Sequence, residues 1–422
     1  MSDVSTVFQL IPAAQKYDWG KPAKSSSVAR FASASGITID ESAPYAELWM
    51  GTHPSAPSRL TDGTVTLSEH LQRHPELIGA KVLERFHVEN GNLPFLLKIL
   101  AIDKALSIQT HPDKSMAEKL HAERPDIYKD DNHKPEMALA ITPFTALCGF
   151  QPLESIAARL EDSPEFAALV PPEDRQKLID STTPSAEDGA QQKAALRAVF
   201  TAVMTAPEHL FKEQLSLLIQ RYTSSAGVQP TPPDDLKELV LRLHSQFPGD
   251  IGIFCAFMLN YVKLTPGEAI FLGAGEPHAY VSGDIVECMA TSDNVIRAGL
   301  TPKLRDVPNL VSGLTYVAAP SSKHVVKPAT GPSGATKLYD PPVPEFAVLQ
   351  TVLPAGASEE HPALDGPSIA IATHGRGKLT WPDGETEINT GEVFFVGAGT
   401  PLRLTSQGEA DLVLHRAFVE AT

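Results

Sequence analysis

The sequence lacks any long run of lysine and arginine, and its formal charge is -16, from 35 basic and 51 acidic residues. A nucleic-acid or anionic-membrane partner, which needs a basic surface, is therefore not expected. Cysteine is scarce. The three present, Cys148, Cys255 and Cys288, are too few and too scattered for a disulfide framework. A reducing compartment fits that usage best. No apolar run approaches the roughly 18 residues of a membrane span. The opening Met-Ser-Asp-Val-Ser-Thr lacks a basic stretch followed by an apolar one, so no secretory signal is visible. A cytoplasmic protein that works as a monomer is the expectation. What remains is ordinary for a folded water-soluble chain, with 42% apolar and 20% charged residues over 422 positions. That length exceeds what one hydrophobic core organises, so two or three domains are expected.

From the start to about residue 150 the text reads as short strands broken by Gly, Pro and Asp turns. Examples are Leu96-Leu-Lys-Ile-Leu-Ala-Ile102 and Leu106-Ser-Ile-Gln-Thr-His111. The stretch from Ser115 to His121 reads as one short helix. Beyond Gln151 the apolar period becomes helical, with segments from Gln192 to Met204, Glu208 to Tyr222 and Asp234 to Phe247. Polar and Pro-rich linkers, Thr182-Thr-Pro-Ser and Gln229-Pro-Thr-Pro-Pro, separate them, and Asp234 and Asp235 are read as caps of the last. Strand-like text returns near Tyr261 and runs to about Thr315. A linker from Val317 to Thr336 leads into a final β segment ending near Val419.

An internal repeat sharpens this division. Gly267-Glu-Ala-Ile-Phe-Leu-Gly-Ala-Gly-Glu-Pro-His278 aligns without gaps onto Gly391-Glu-Val-Phe-Phe-Val-Gly-Ala-Gly-Thr-Pro-Leu402. Two copies of a turn, an apolar strand, a Gly-rich turn and another strand suggest two related β-barrels or jelly rolls. The expected fold is mainly β with a helical insertion. Residues 1–151 and 250–316 form a catalytic barrel, 152–249 the helical insertion, and 317–422 a second barrel without metal. The copies differ at their last position, His278 in one and Leu402 in the other.

Gln109 and His111 stand two apart in a strand-like segment, so both side chains emerge on one face. Glu136 follows the polar loop Lys129-Asp-Asp-Asn-His-Lys-Pro135, and His278 follows a Gly-rich turn. Two imidazoles, one carboxylate and one amide oxygen suit a borderline ion such as Zn²⁺. Spacing alone does not establish the set. Gln-x-His is a weak signal, a lone carboxylate is more often a solvated group, and a turn histidine is more often a satisfied polar residue. His53, His70, His74, His87 and His244 read as ordinary surface or core residues.

The segments Tyr17-Asp-Trp-Gly20, Tyr45-Ala-Glu-Leu-Trp-Met-Gly-Thr-His53, Leu93-Pro-Phe-Leu-Leu-Lys98, Leu106-Ser-Ile-Gln-Thr-His-Pro-Asp113 and Asn132-His-Lys-Pro-Glu136 resemble the type I mannose-6-phosphate isomerases, as do Gly283-Asp-Ile-Val-Glu-Cys-Met289 and Ser292-Asp-Asn-Val-Ile-Arg-Ala-Gly-Leu-Thr-Pro-Lys303. The resemblance covers nearly the whole chain in order. It implies two cupin-type barrels around a helical domain, and one zinc held by Gln109, His111, Glu136 and His278. It also implies interconversion of mannose 6-phosphate and fructose 6-phosphate, supplying mannose precursors for GDP-mannose and glycosylation. Gln109 where His is common in cupins, and Gly273 where Pro is usual, both agree with this family.

Aldose–ketose exchange moves a proton between adjacent carbons through an enediol or enediolate. It needs a base, stabilisation of the oxyanion, ring opening and a cationic hold on the phosphate. Arg297 matches the family's active-site arginine and suits phosphate or enediolate stabilisation; the alternative is a surface arginine paired with Asp293. Glu287 is the leading proton shuttle, against a structural salt-bridge partner. Lys134 is open to phosphate binding or proton transfer, and His133 to ring opening or simple loop exposure. Lys98 and Ser107 are candidate phosphate or sugar contacts, Lys303 a phosphate contact or an ordinary exposed lysine. Tyr280 would share the face of His278 and donate to a sugar oxygen, or pad the barrel. A cupin oxygenase or epimerase, or a non-catalytic sugar-binding cupin, remains open from the residues alone.

Overall fold

The computed structural model describes residues 4–182, 189–224, 234–331 and 334–421. Apart from Thr182, the two linkers read between the helices lie outside these residues, as does the Asp234 side chain. Asp235 lies within the helix Asp234–Gln246 and accepts from Lys263 at 2.6 Å.

The protein is mainly β with a helical insertion, and its strands build two cupin-type barrels. The first barrel centres on the strand Phe95–Ile102, buried at all eight positions, and on His278–Ala290, buried at all but Ser282. Both faces of these strands are covered, which explains the near-continuous apolar text. Leu97, Ile99, Val286 and Cys288 join an apolar cluster that also holds Val348, Ile369, Val393 and Phe395 of the second barrel. The opposite face of the same strands looks into the first barrel, and there the polar Lys98 and Glu287 interrupt the pattern. A two-residue period thus sorts core from site.

A second layer completes this barrel. Phe144–Phe150 pairs with Leu259–Leu264 and with the start of the long strand. Ile108–Thr110 lies between His278 and the strand Ile296–Gly299. The strand read over 106–111 is thus shorter than expected. The helix read from Ser115 spans Lys114–Glu123, because the Asp113 side chain caps it by accepting from the Met116 N–H at 2.8 Å.

Helices run from Leu153–Asp162 to Asp234–Gln246, with Gly189–Met204 and Glu208–Thr223 between. Their apolar stripes, including Leu196, Phe200 and Leu218, pack with Phe150, Leu259 and Ile296 of the first barrel in one core cluster. Three short helices in the first 150 residues, Ser27–Ala34, Leu67–Arg73 and Ala80–Arg85, lie where the sequence reads as strands and turns. Ser26 and a Thr66–Glu69 capping box start the first two of them. Val307–Gly313 is likewise helical, capped by Asp306.

In the second barrel an eight-stranded sheet runs beside a four-stranded one. The chain's first strand, Val7–Ile11, joins that larger sheet by pairing with Val393–Val396, rather than joining the first barrel. Val7 and Leu10 are buried there. The stretch read as a linker also carries structure. Val325–Val326 pairs with Ala269 and Ile270 of the first barrel, and Ala329–Thr330 with Thr336–Tyr339 of the second. Among the described residues no helix is long and apolar enough to cross a membrane.

Candidate metal centre and active site

Six neighbouring strands place the central groups by register. His278 faces Gln109, and Gln109 faces Arg297 on its other side. Directly opposed residues in antiparallel strands share a face, so these three form one row. In the other layer Trp49 faces Lys98, Lys98 faces Glu287, and Glu287 faces Ala138, two residues from Glu136.

Glu136 is 1% exposed and stands among the histidines. Its Oε1 lies 3.2 Å from His111 Nε2, and its Oε2 lies 3.3 Å from His278 Nε2. The His111 Nδ1–H donates to the Asn294 carbonyl at 2.7 Å, and the His278 Nδ1–H to the Glu276 carbonyl at 2.9 Å. Carbonyls only accept, so both protons sit on Nδ1 and both Nε2 atoms present lone pairs. Neither buried Nε2 makes a formed hydrogen bond. One ligand atom from each of His111, Glu136 and His278 falls within 4.8 Å of the others. Orphaned lone pairs, a carboxylate and fixed tautomers are what a resident metal ion requires, so these residues fit one. Burial pushes the His111 imidazole down to about 4 against the pull of Glu136, leaving it neutral and able to ligate. Burial alone would raise the Glu136 carboxyl, but the groups packed against it, the Lys134 ammonium among them, outweigh burial and hold it well below its usual range.

Asp130 supports this centre. Its carboxylate accepts from Ser292 Oγ at 2.8 Å, from the Asp293 N–H at 2.7 Å and from Asn294 Nδ2 at 3.1 Å. The latch ties the loop before Lys134 and Glu136 to the segment that leads into Arg297, and it fixes the carbonyl that orients His111.

A cavity of about 430 Å³ opens above the centre, lined by Gln109, Glu136, Lys134, Glu287, Arg297, Lys98, Ser107 and Lys303 among others. Eight of the expected site residues therefore meet in one space. Tyr280 is buried just behind, and its hydroxyl donates to Glu136 Oε2 at 3.3 Å; burial, Glu136 and Glu287 push that hydroxyl up, so it stays protonated. It contacts Glu136 of the buried cluster rather than the cavity.

His133 is the exception to the convergence. Its Nε2 pairs with Glu345 at 2.5 Å, and the residue is not among those lining the cavity. Its neighbour Lys134 turns inward instead, with Nζ 3.3 Å from Glu136 Oε1, since adjacent residues in extended chain point to opposite sides.

Lys98 is buried between two carboxylates, 3.1 Å from Glu287 and 3.4 Å from Glu47, with the Trp49 ring 4.8 Å from its Nζ. Burial disfavours the ammonium, yet Glu47, Glu287 and Glu136 together raise it, so it stays charged. Already paired twice, it has little charge to spare for a phosphate. Burial, offset in part by Lys98, raises the Glu287 carboxyl. Glu287 is a salt-bridge partner of Lys98 and also borders the cavity. Arg297 has no bond to Asp293, which faces His53 at 3.3 Å, and its buried Nε has no partner among the described residues. Lys303 is exposed at the rim.

Sequence reasoning missed Glu47, Trp49, His53 and Asp293, all of which line the cavity. The signal for the first two was present: a carboxylate and an indole alternate in the otherwise apolar Glu47–Met50.

A buried His–Glu–His cluster able to hold a metal ion, beside a cavity that gathers several charged side chains inside the first of two cupin-type barrels, fits a metal-dependent enzyme. Comparison with known proteins gives the family. The model of the type I phosphomannose isomerase catalytic domain matches residues 7–153, that of its helical insertion domain 169–259, and that of its C-terminal part 336–381. Mannose-6-phosphate isomerase from Cryptococcus neoformans is 47% identical, with 99% of each chain covered. The enzyme of that name from Saccharomyces cerevisiae is 44% identical over 98% of this chain and 99% of its own. A crystal structure of a zinc-bound mannose 6-phosphate isomerase superposes with a TM-score of 0.80 at 29% identity, covering 99% of this chain and all of that one. The chain belongs to the type I phosphomannose isomerases.

Proposed function

We propose that the protein interconverts mannose 6-phosphate and fructose 6-phosphate by proton transfer through an enediol or enediolate. The observation that carries this reading is the buried His111–Glu136–His278 cluster opening into a cavity that also presents Arg297, Lys134 and Glu287. The resident ion is zinc, held by the three clustered residues and by Gln109, which lies beside His278 in register. Bound there, zinc supplies Lewis-acid polarisation of a sugar oxygen.

The chain's own residues supply the rest. Glu287, with its raised carboxyl and Lys98 beside it, moves the proton between the adjacent sugar carbons. Arg297 offers an unpaired, permanently charged donor to the enediolate oxygen or the phosphate. Lys134 holds Glu136 in place and faces the same space, where it donates to the substrate. Ser107 and Lys303 line the outer part of the cavity and hold the phosphate, while Lys98 acts mainly to set the charge of Glu287. His133, tied to Glu345, serves the loop rather than ring opening.

In the direction of mannose 6-phosphate the reaction feeds GDP-mannose synthesis and glycosylation. Three buried free cysteines support a cytoplasmic site of action, and scattered exposed apolar residues such as Leu217 and Leu304 support a monomer. A coupled assay for fructose 6-phosphate formation, before and after chelation and with zinc added back, tests the central reading. Activity that survives complete metal removal would end it. Light scattering of the purified enzyme tests the monomer.

A further inference from the structure

The second barrel keeps the strand order of the first, so the internal repeat can be followed by register into its interior. In the first barrel Ala269–Leu272 pairs with Glu136–Ala140, which pairs with His278–Ala290. In the second, Val393–Val396 pairs with Ser368–His374, which pairs with Leu412–Phe418. Leu272 and Val396 are matching repeat positions. The first faces Glu136 and the second faces Ser368, so Ser368 takes the place of Glu136. One step on, Ala138 faces Glu287 and the matching Ala370 faces Arg416, so Arg416 takes the place of Glu287. His278 and Leu402 match in the repeat, and they face Gln109 and His361 respectively. The second barrel therefore carries Arg416, Ser368 and His361 where the catalytic barrel carries Glu287, Glu136 and Gln109.

These three side chains are enclosed, at 1%, 0% and 4% exposure. Arg416 Nε donates to Ser368 Oγ at 2.7 Å. Its Nη1 has no partner among the described residues, and neither does His361 Nδ1. The cross-strand neighbours of Arg416 are Leu349 and Ala370, and the surrounding cluster is apolar, with Leu353, Leu402 and Leu414. Glu359 Oε2 accepts from Thr336 at 2.7 Å and lies 3.8 Å from His361 Nε2, on the side away from the bare Nδ1, while Glu420 is the carboxylate whose charge reaches Arg416. A guanidinium cannot shed its charge in a protein, and a buried charge with no counterion in direct contact is costly. Its planar fork of donors is shaped for an oxygen anion. The Ser368 hydroxyl in contact with it, and the His361 imidazole, near enough to feel its charge, extend the same donor set.

We propose that the interior of the second barrel binds a small oxyanion at Arg416, Ser368 and His361, at the position that mirrors the catalytic centre. The site replaces a cation held by histidines and one carboxylate with an anion held by a guanidinium. Its occupant completes the second barrel's core and lies apart from the reaction.

Two measurements test this on the zinc-loaded full chain. In phosphate-free buffer Arg416→Met is expected to match or exceed the wild type in Tm, because it removes an unpaired buried charge. Added inorganic phosphate should then raise the wild type more than the variant and reverse their order. An equal rise in both, which binding at the catalytic cavity alone would give, overturns the proposal. Should Arg416→Met fail to fold, wild-type crystals soaked in selenate decide the matter. An anomalous peak within hydrogen-bond reach of Arg416 Nη1 supports the site, and a water alone at that position overturns it.

Discussion

Strand for strand, the first barrel places Glu136, His278 and Glu287 where the second places Ser368, Leu402 and Arg416. Backbone pairing is retained while the interior chemistry is exchanged. In the first barrel the polar positions converge on two bare Nε2 atoms and an open cavity. In the second, Leu402 is 1% exposed and packs with Leu353, Leu404 and Leu414. A shared frame thus says little about function. The residues at a few interior positions decide whether a barrel is a reaction vessel or a support.

The largest test of that contrast makes the first barrel imitate the second. His278→Leu is expected to leave a folded chain that neither retains zinc nor turns over, as read by elemental analysis and the coupled assay. Stoichiometric zinc with full activity would remove His278 from the ligand set. Next in size, Arg297→Ala should lower turnover by about 10²–10³-fold, the usual cost of one oxyanion-stabilising donor, while zinc content stays at wild type. Unchanged kinetics would exclude it from the mechanism.

Lys98→Met probes the carboxylates that the second barrel lacks. Lys98 lowers the Glu287 carboxyl, so its loss should raise that group further. If Glu287 acts as a base, it must be ionised, and the acid limb of the pH–rate profile should move to higher pH. The same change should cost about 3–5 kcal/mol of stability, because two buried carboxylates lose their partner. An unmoved acid limb would transfer the base role to another group. The smallest effect on activity is expected from the reciprocal change, Leu402→His. It should destabilise by about 1–3 kcal/mol through burial of a polar group, yet bring no second zinc, because Ser368 offers no carboxylate. A second equivalent of zinc by elemental analysis would show that the frame alone can build a metal site.

Much of this architecture was legible in the text. The gapless repeat ending in His278 and Leu402 announced two barrels of unequal chemistry, and the helical period after Gln151 marked the insertion. Gln109, His111, Glu136 and His278 could be nominated because residue type and family resemblance agreed. What stayed hidden was tertiary. Nothing local to Val7–Ile11 indicates a partner near the opposite end of the chain. His133 and Lys134 look equally suited to a site until the Glu345 carboxylate claims the first. Glu47 was overlooked because a lone carboxylate in a strand has many uses, and only its approach to Lys98 reveals this one. The short helices near the start are only six to eight residues long, too brief for periodicity to stand out against strand text.

The pairing of the first strand with Val393–Val396 has a consequence for how the molecule is made. A chain emerging from the ribosome exposes Val7–Ile11 several hundred residues before their partner. Until then the apolar Val7 and Leu10 must wait uncovered or shelter in temporary contacts, and the larger sheet of the second barrel cannot close. Closure of that sheet therefore comes late, whatever order the other elements fold in. Bulk added just ahead of Val7 would weigh on the step that seals the second barrel.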